Sequence, residues 1–339
     1  MKRIGIVGAG GISQTHAQAV SELDDTQICA VYGRNKDKTA QLAARYNAEP
    51  YSSFEAFLKH SPMDLVIIGS PSGLHADQGI DASKNGLHVL VEKPLDVSAE
   101  RGLELIAACD SASVKLGVCY QDRFSPDVVR LKDLVASGKL GKLILVSGRV
   151  RWFRPPSYYS DSDWRSSWSL AGGGALMSQA IHTVDSLLWI AGNIKRVTST
   201  ALTAVHKIDV EDTLVSVIEF DNGAVGTLEA ATSIYPGSDR HIEISGSAGT
   251  ALIESDRLTR CELESGESVD VTDGKGNSNL RASSPVISDV SGHKLLIEDF
   301  IKAIESDSTP RCDGRDGLRS VKVVEAMYES ARTGKPVFV

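Results

Sequence analysis

Three stretches of the sequence carry residues whose types and spacing suit chemistry. The first, Gly8-Ala9-Gly10-Gly11-Ile12-Ser13, follows an apolar run and opens an amphipathic one. Glycines at its first two places permit a tight turn and let backbone approach a pyrophosphate closely. The phosphate charge then meets the unpaired N–H groups of a helix N-terminus. Gly8, Gly10, Gly11 and Ile12 are therefore predicted cofactor contacts, with Ser13 at the third glycine place as a small departure. A dinucleotide site for NAD usually sets Asp or Glu about 20 residues further on, against the ribose 2′-hydroxyl. That place is Gly33 here, and Arg34 follows it. A guanidinium suits a 2′-phosphate by charge and forked geometry, which favours NADP over NAD.

The second stretch is Glu92-Lys93-Pro94 at the end of an apolar run, with Ser70, Pro71 and His75 at the end of the run before it. Ligands of open α/β sheets bind beyond the carboxyl ends of the strands, so both segments are placed near a ligand. A lysine there can give a proton to a reacting oxygen or take one from it, although a lone lysine at a strand end is more often a solvated charge. Gln121 and Arg123 stand where the pattern of the chain changes. The third stretch runs from Arg149 to Trp168 and is dense in Arg151, Tyr158, Tyr159, Trp164 and Arg165. Aromatic faces pack on the C–H side of sugars, while Arg and Tyr bond hydroxyls or carboxylates, so this segment is the expected substrate wall. A long loop also needs anchors, and some of these aromatics are expected to serve only as that.

The elements that must position these residues follow from periodicity. Short Ile/Val-rich runs at 2–8, 26–32, 63–69, 87–91 and 114–120 predict strands buried on both faces. Helical spacing lies between them at 12–22, 37–46, 54–60, 74–84 and 99–110, the last with Ser98 as N-cap. Repeated βα units predict a doubly wound parallel sheet. Beyond about residue 120 come helices at 126–137 and 175–191 and a series of strands at 143–152, 196–204, 213–220, 224–233, 241–245 and 250–254. Hairpin residues Asp221-Asn222-Gly223 and Ser247-Ala248-Gly249 join some of them. This predicts an α+β part with a large, mostly antiparallel open sheet. The polar stretch 266–284 reads as a mobile loop, and helices at 291–306 and 317–333 close the chain. The predicted domains are 1–120 and 121–339, with the terminal helices able to pack back on the first.

Composition bounds the partners. The chain has 339 residues, 42% of them hydrophobic, and a net charge of −8, so a nucleic-acid phosphate backbone is a poor fit. Five scattered cysteines (Cys29, Cys109, Cys119, Cys261, Cys312) form no C-x-x-C pair, which speaks against a disulfide framework or a metal knuckle. Met1-Lys2-Arg3 leads straight into Ile4-Gly5-Ile6-Val7, and no apolar run approaches the roughly 20 residues that span a bilayer. The expectation is a cytoplasmic protein with no metal and no membrane partner.

Together the glycine turn, Pro71 with His75, Glu92-Lys93-Pro94, Gly172-Gly173-Gly174-Ala175-Leu176 through His182 to Asp185, and Gly314-Arg315-Asp316-Gly317-Leu318 closely resemble the Gfo/Idh/MocA oxidoreductases. The resemblance covers nearly the whole chain. It implies a Rossmann domain followed by an α+β domain, reversible oxidation of a sugar or polyol hydroxyl with NAD(P), and assembly into a homo-dimer or homo-tetramer. It makes Lys93 the catalytic lysine, with Glu92 and Pro94 beside the cofactor, and His182 an acid/base or substrate-orienting group. It also suggests a nicotinamide contact near Gln121 and Arg123. Many members carry an aspartate four residues before this histidine, where this chain has Ser178. Positions i and i+4 share a helix face, so Ser178 is expected near the substrate, but a serine cannot be an anionic partner to the imidazole. Asp185 is left as the residue that could orient it. Two rival readings remain: an NAD-dependent glycosidase that retains its cofactor, and a regulator that binds the dinucleotide without catalysis.

Overall fold

The computed structural model describes residues 1–272 and 289–339. By its internal contacts the chain divides into two compact units. The first holds Met1–Gln121 and the described part of 287–318, and the second holds the described part of 122–286 with Arg319–Val339.

The first unit is built on a six-stranded sheet in the order β3-β2-β1-β4-β5-β6. Its strands are β1 Lys2–Val7, β2 Thr26–Tyr32, β3 Glu49–Tyr51, β4 Leu65–Ile68, β5 His88–Val91 and β6 Leu116–Val118, and every pairing is parallel. The order reverses between β1 and β4, the place where such sheets leave a crevice for a ligand. The crossovers are α1 Gly11–Ser21, α2 Lys36–Arg45, α3 Phe54–Leu58, α4 His75–Lys84 and α5 Ala99–Ser111. Helices cover both faces, so β4 is apolar throughout, with Leu65, Val66, Ile67 and Ile68 all fully buried. Ser98 does cap α5, accepting the N–H of Arg101. β3 was not anticipated: it is three residues long with Pro50 in its middle, and a proline tolerates a strand only at a sheet edge. A later helix, Ser291–Glu305, packs along α1 and lays Phe300 over β6. A Cβ on Gly117 would come within 2.8 Å of that ring, so only glycine fits there.

The second unit is an eight-stranded sheet in the order β13-β12-β11-β7-β10-β9-β8-β14. It comprises β7 Leu143–Arg151, β8 Ile194–Leu202, β9 Thr213–Phe220, β10 Val225–Ala231, β11 His241–Gly246, β12 Gly249–Glu254, β13 Arg257–Leu263 and β14 Val337–Phe338. Among the described residues one pairing, β7 with β10, is parallel and the others are antiparallel. α6 Pro126–Ala136 and α7 Ile181–Ala191 pack against this sheet. Burial alternates along β9: Leu214, Ser216 and Ile218 are buried, while Val215 and Val217 are exposed, as an antiparallel sheet covered on one side requires. β13 and β14 were not foreseen. β13 buries only Leu258 and β14 is two residues long, so neither carries a hydrophobic alternation. Of the polar stretch 266–284, residues from 273 onward lie outside those described. A last helix, Gly314–Thr333, closes the chain ahead of β14. Among the described residues no helix is long and apolar enough to cross a membrane.

Candidate active site

In the first unit the glycine turn sits between β1 and α1. Gly8 has φ +108°, and a Cβ there would lie 2.7 Å from Ser13 Oγ and 2.8 Å from the Gly69 carbonyl oxygen, so this place requires glycine. Gly10 is the N-cap and offers no side chain to the helix, which leaves the first N–H groups of α1 without an intrahelical acceptor. A Cβ on Gly10 or Gly11 would meet nothing within 4 Å, and both glycines are exposed. Open donors above bare glycines fit a pyrophosphate, and Gly10, Gly11 and Ile12 would supply the backbone that holds it. At the end of β2, a Cβ on Gly33 would come within 2.4 Å of Thr39 Oγ1. Thr39 is fixed in turn by its bond to the Asn35 carbonyl, so no carboxylate fits at 33. Arg34 is exposed.

Beyond β5, Glu92 is buried and Lys93 half-buried. Glu92 Oε2 accepts the Lys93 backbone N–H at 3.1 Å, and Glu92 Oε1 lies 2.7 Å from Nε2 of His16, a fully buried residue of α1. His293, also buried, presents its ring edge-on to His16 with centroids 5.3 Å apart. Burial alone would raise the Glu92 carboxyl. The hydrogen bond and charge of His16, with His293 and Lys93 nearby, overcome it and bring the group from 4.5 down to about 2. Cys119 Sγ lies 4.0 Å from the same His16 nitrogen, and burial beside the Glu92 carboxylate keeps it a neutral thiol. His75, predicted as a cofactor contact, has Nδ1 2.8 Å from the Pro94 carbonyl and Nε2 3.0 Å from the Ser70 carbonyl. It ties the two ligand-facing segments together rather than offering an open ring. Ser70 bonds Gln78, and Asp96 accepts the Ala76 N–H at the start of α4. His16 and Asp96 were missed in sequence, since a histidine on a helix face and an acid in a loop look like ordinary core and surface residues.

In the second unit the segment Gly172-Gly173-Gly174 leads into the helical run that carries His182. Gly172 and Gly173 have positive φ (74° and 149°), and a Cβ on Gly174 would lie 1.6 Å from the Glu211 carbonyl oxygen. The buried Glu211 carboxylate accepts the N–H groups of Gly174 and Leu176 and the hydroxyl of Tyr328, capping the run from outside it. Leu176–Ala180 then forms a π-helical turn before α7 begins at Ile181. Such bulges often accompany functional sites. Ser178 donates its hydroxyl to the Gly174 carbonyl at 2.6 Å. His182 keeps 15% of its side chain exposed, whereas Ile181, Thr183, Val184 and Asp185 are at 1% or less.

Asp185, the residue that could orient His182, is held by another cation. Both of its oxygens are taken by Arg123, at 2.9 Å from Nε and 2.6 Å from Nη2, and that guanidinium also lies over Trp189. Arg123, expected to touch substrate, is thus 2% exposed in a bidentate pair. A carboxylate near His182 among the described residues is Asp122, whose Oδ2 is 3.8 Å from the imidazole Nδ1 and accepts from the buried Arg240. Sequence reading named both neighbours of Asp122 and passed over it.

The aromatic segment divides as well. Tyr159 is buried with its hydroxyl 2.7 Å from Thr232 Oγ1, which makes it an anchor and not a substrate contact. Arg151 is exposed and pairs with Glu229 on the neighbouring strand. Arg165 stacks 4.4 Å over the Tyr158 ring and lies 5.7 Å from that of Trp164, and the Tyr158 hydroxyl accepts from Gln179. Arg154, buried over Trp152 and Tyr158, is held below the usual arginine range by burial.

This arrangement is that of a known enzyme class. Residues 2–120 match the description "Oxidoreductase family, NAD-binding Rossmann fold", and residues 132–339 match "Oxidoreductase family, C-terminal alpha/beta domain". The chain belongs to the Gfo/Idh/MocA oxidoreductases. It is 29% identical to D-xylose 1-dehydrogenase (NADP(+)) 2 of Haloferax volcanii, covering 98% of each chain. It is 24% identical to inositol 2-dehydrogenase of Rhizobium meliloti over 99% of each. Among solved structures, the WlbA dehydrogenase of Bordetella pertussis, in complex with NADH and UDP-GlcNAcA, superposes with a TM-score of 0.89. The two are 30% identical, over 100% of this chain and 98% of that one. The protein is an NAD-binding oxidoreductase of a family that acts on sugars and polyols.

Proposed function

We propose that this chain moves a hydride between NAD(P) and a CH–OH or carbonyl carbon of a carbohydrate, with Lys93 and His182 in proton transfer and NADP preferred. When bound, the nicotinamide ring accepts or returns the hydride. Lys93 takes the hydroxyl proton as the alcohol is oxidised and gives it back in reduction, and the His182 imidazole assists. The observation that carries the reading is the Glu92–Lys93 segment, where a buried carboxylate held ionised by His16 fixes the lysine backbone through the Lys93 N–H. NADP is supported by the exposed Arg34 beside a glycine that leaves no room for an acid. Among sugars, polyols and sugar acids we favour an acid: a guanidinium such as that of Arg165, stacked on Tyr158, suits a carboxylate, and WlbA is found in complex with UDP-GlcNAcA. The exposed valines of β9 and β10 support a homo-oligomer in which a second copy covers that face.

The test follows nicotinamide absorbance with NAD⁺ and NADP⁺ separately against sugars, polyols and sugar acids, free and nucleotide-linked. Reduction of NADP⁺ in preference to NAD⁺ is expected, and Lys93→Ala should abolish it while cofactor binding, read by fluorescence, persists. Turnover at wild-type rate in that variant would sink the scheme. Silence across the panel with intact binding would shift the weight to the glycosidase or regulator.

A further inference from the structure

We propose that Asp122, held by Arg240, is the positioning carboxylate of His182: it orients the imidazole and favours its protonated form. The inference rests on the reading of His182 as a proton carrier. Asp122 opens the second unit, 60 residues before His182 in sequence, yet its Oδ2 lies 3.8 Å from the imidazole Nδ1 and only 5% of its side chain is exposed. At such a separation, with both groups shielded from water, a carboxylate raises the affinity of an imidazole for its proton and gives Nδ1–H a direction to point. Arg240 fixes the carboxylate from behind. One of its nitrogens donates to Asp122 Oδ2 and the other to Asp256, and it is itself buried. Burial disfavours the Arg240 charge, but the two carboxylates push its affinity for the proton further up, so it stays cationic.

The other charges on the elements around α7 have their own partners. On α7 itself Asp185 is taken by Arg123. On α6, Asp127 accepts from Leu258 and Thr272, and Arg130 donates to the Asp270 carbonyl. Lys132 is held low by burial and by Arg123 and Arg319, with Asp133 beside it. On β7, Arg149 meets His241 of β11 and Arg151 meets Glu229, while Glu243 of β11 faces Arg260. Removal of Asp122, 3.8 Å away, should therefore be felt at the imidazole.

The experiment is a pH titration of the His182 ring by NMR in the full-length protein, with the resonance assigned through His182→Gln. Asp122→Asn should lower the midpoint by about 0.5–1 pH unit, and Asp122→Glu should restore most of it. Should Asp122→Asn fail to fold, Asp256→Asn serves instead: it leaves Asp122 in place but lets Arg240 neutralise it more fully, and the midpoint should fall by a smaller amount in the same direction. A midpoint equal to wild type in the folded variants overturns the proposal. The pH profile of kcat/KM then separates the two readings. If the acidic limb moves with the NMR midpoint, His182 carries the proton. If the midpoint moves and the limb does not, the Asp122–His182 pair stands and the proton-transfer role of His182 fails.

Discussion

At the scale of single residues, the buried Glu92, Asp122 and Asp185 are each held by a partner far away in sequence. Glu92 has its affinity for protons depressed from 4.5 to about 2 by His16, His293 and Lys93. A depressed carboxyl contributes stability that is fully present above its unfolded value and is lost as the pH falls through the folded one. Acid unfolding should therefore show a component between about pH 4.5 and 2 that is missing in Glu92→Gln, read by circular dichroism against pH. An identical acid transition in both proteins would contradict it. Arg123 gives a second expectation. Removing one member of a buried ion pair typically costs about 3–5 kcal/mol, so Arg123→Met should lower the denaturant midpoint strongly by leaving Asp185 buried without its main partner. A variant of unchanged stability with a raised KM would return Arg123 to the substrate role that sequence suggested.

At the scale of elements, what could be read in advance was what is local. The glycine turn, the Ser98 cap and the buried runs of β1, β2, β4, β5 and β6 depend on neighbours a few residues away, and all were legible. β3 hid behind Pro50, and β14 is too short to show a period. The partners of the site residues were out of reach for the same physical reason: Arg240 meets Asp122 across 118 positions, and no periodicity reports such a contact. The start of the His182 helix shows the mixture. Its glycines announced a special turn, but their purpose, room for the Glu211 backbone and carboxylate, appears only in three dimensions. Gly174→Ala would force a Cβ to within 1.6 Å of the Glu211 carbonyl oxygen. It should destabilise the protein by about 1–3 kcal/mol, seen as a lowered Tm, and reduce turnover by displacing the helix that carries His182.

At the scale of the molecule, the second copy proposed above would sit on the open face of the eight-stranded sheet. Val215, Val217 and Val225 are each about half exposed, and Leu145, opposite Val225, adds to them from β7. Exposed apolar area of this kind marks association surfaces. Val217→Glu should shift the mass measured by light scattering toward the monomer without altering the helical content. A wild-type protein that is monomeric at micromolar concentration would refute the assignment.

The order in which the strands meet also bears on how the chain is made. β7 lies in the middle of its sheet, but its neighbours β10 and β11 begin at Val225 and His241, and the outermost strand β14 is Val337–Phe338. The first unit is in the same position, because Phe300 and the backbone around Cys312 and Asp313 complete the packing of β6. During synthesis a nascent chain that has already released the whole parallel sheet from the ribosome still lacks the pieces that seal it. Each unit waits for segments made long after its first strands: the edge of β6 stays open until residues 300–313 are made, the flanks of β7 until β10 and β11 are made, and the edge of β8 until β14 follows, and meanwhile each is open to chaperones or to neighbouring nascent chains.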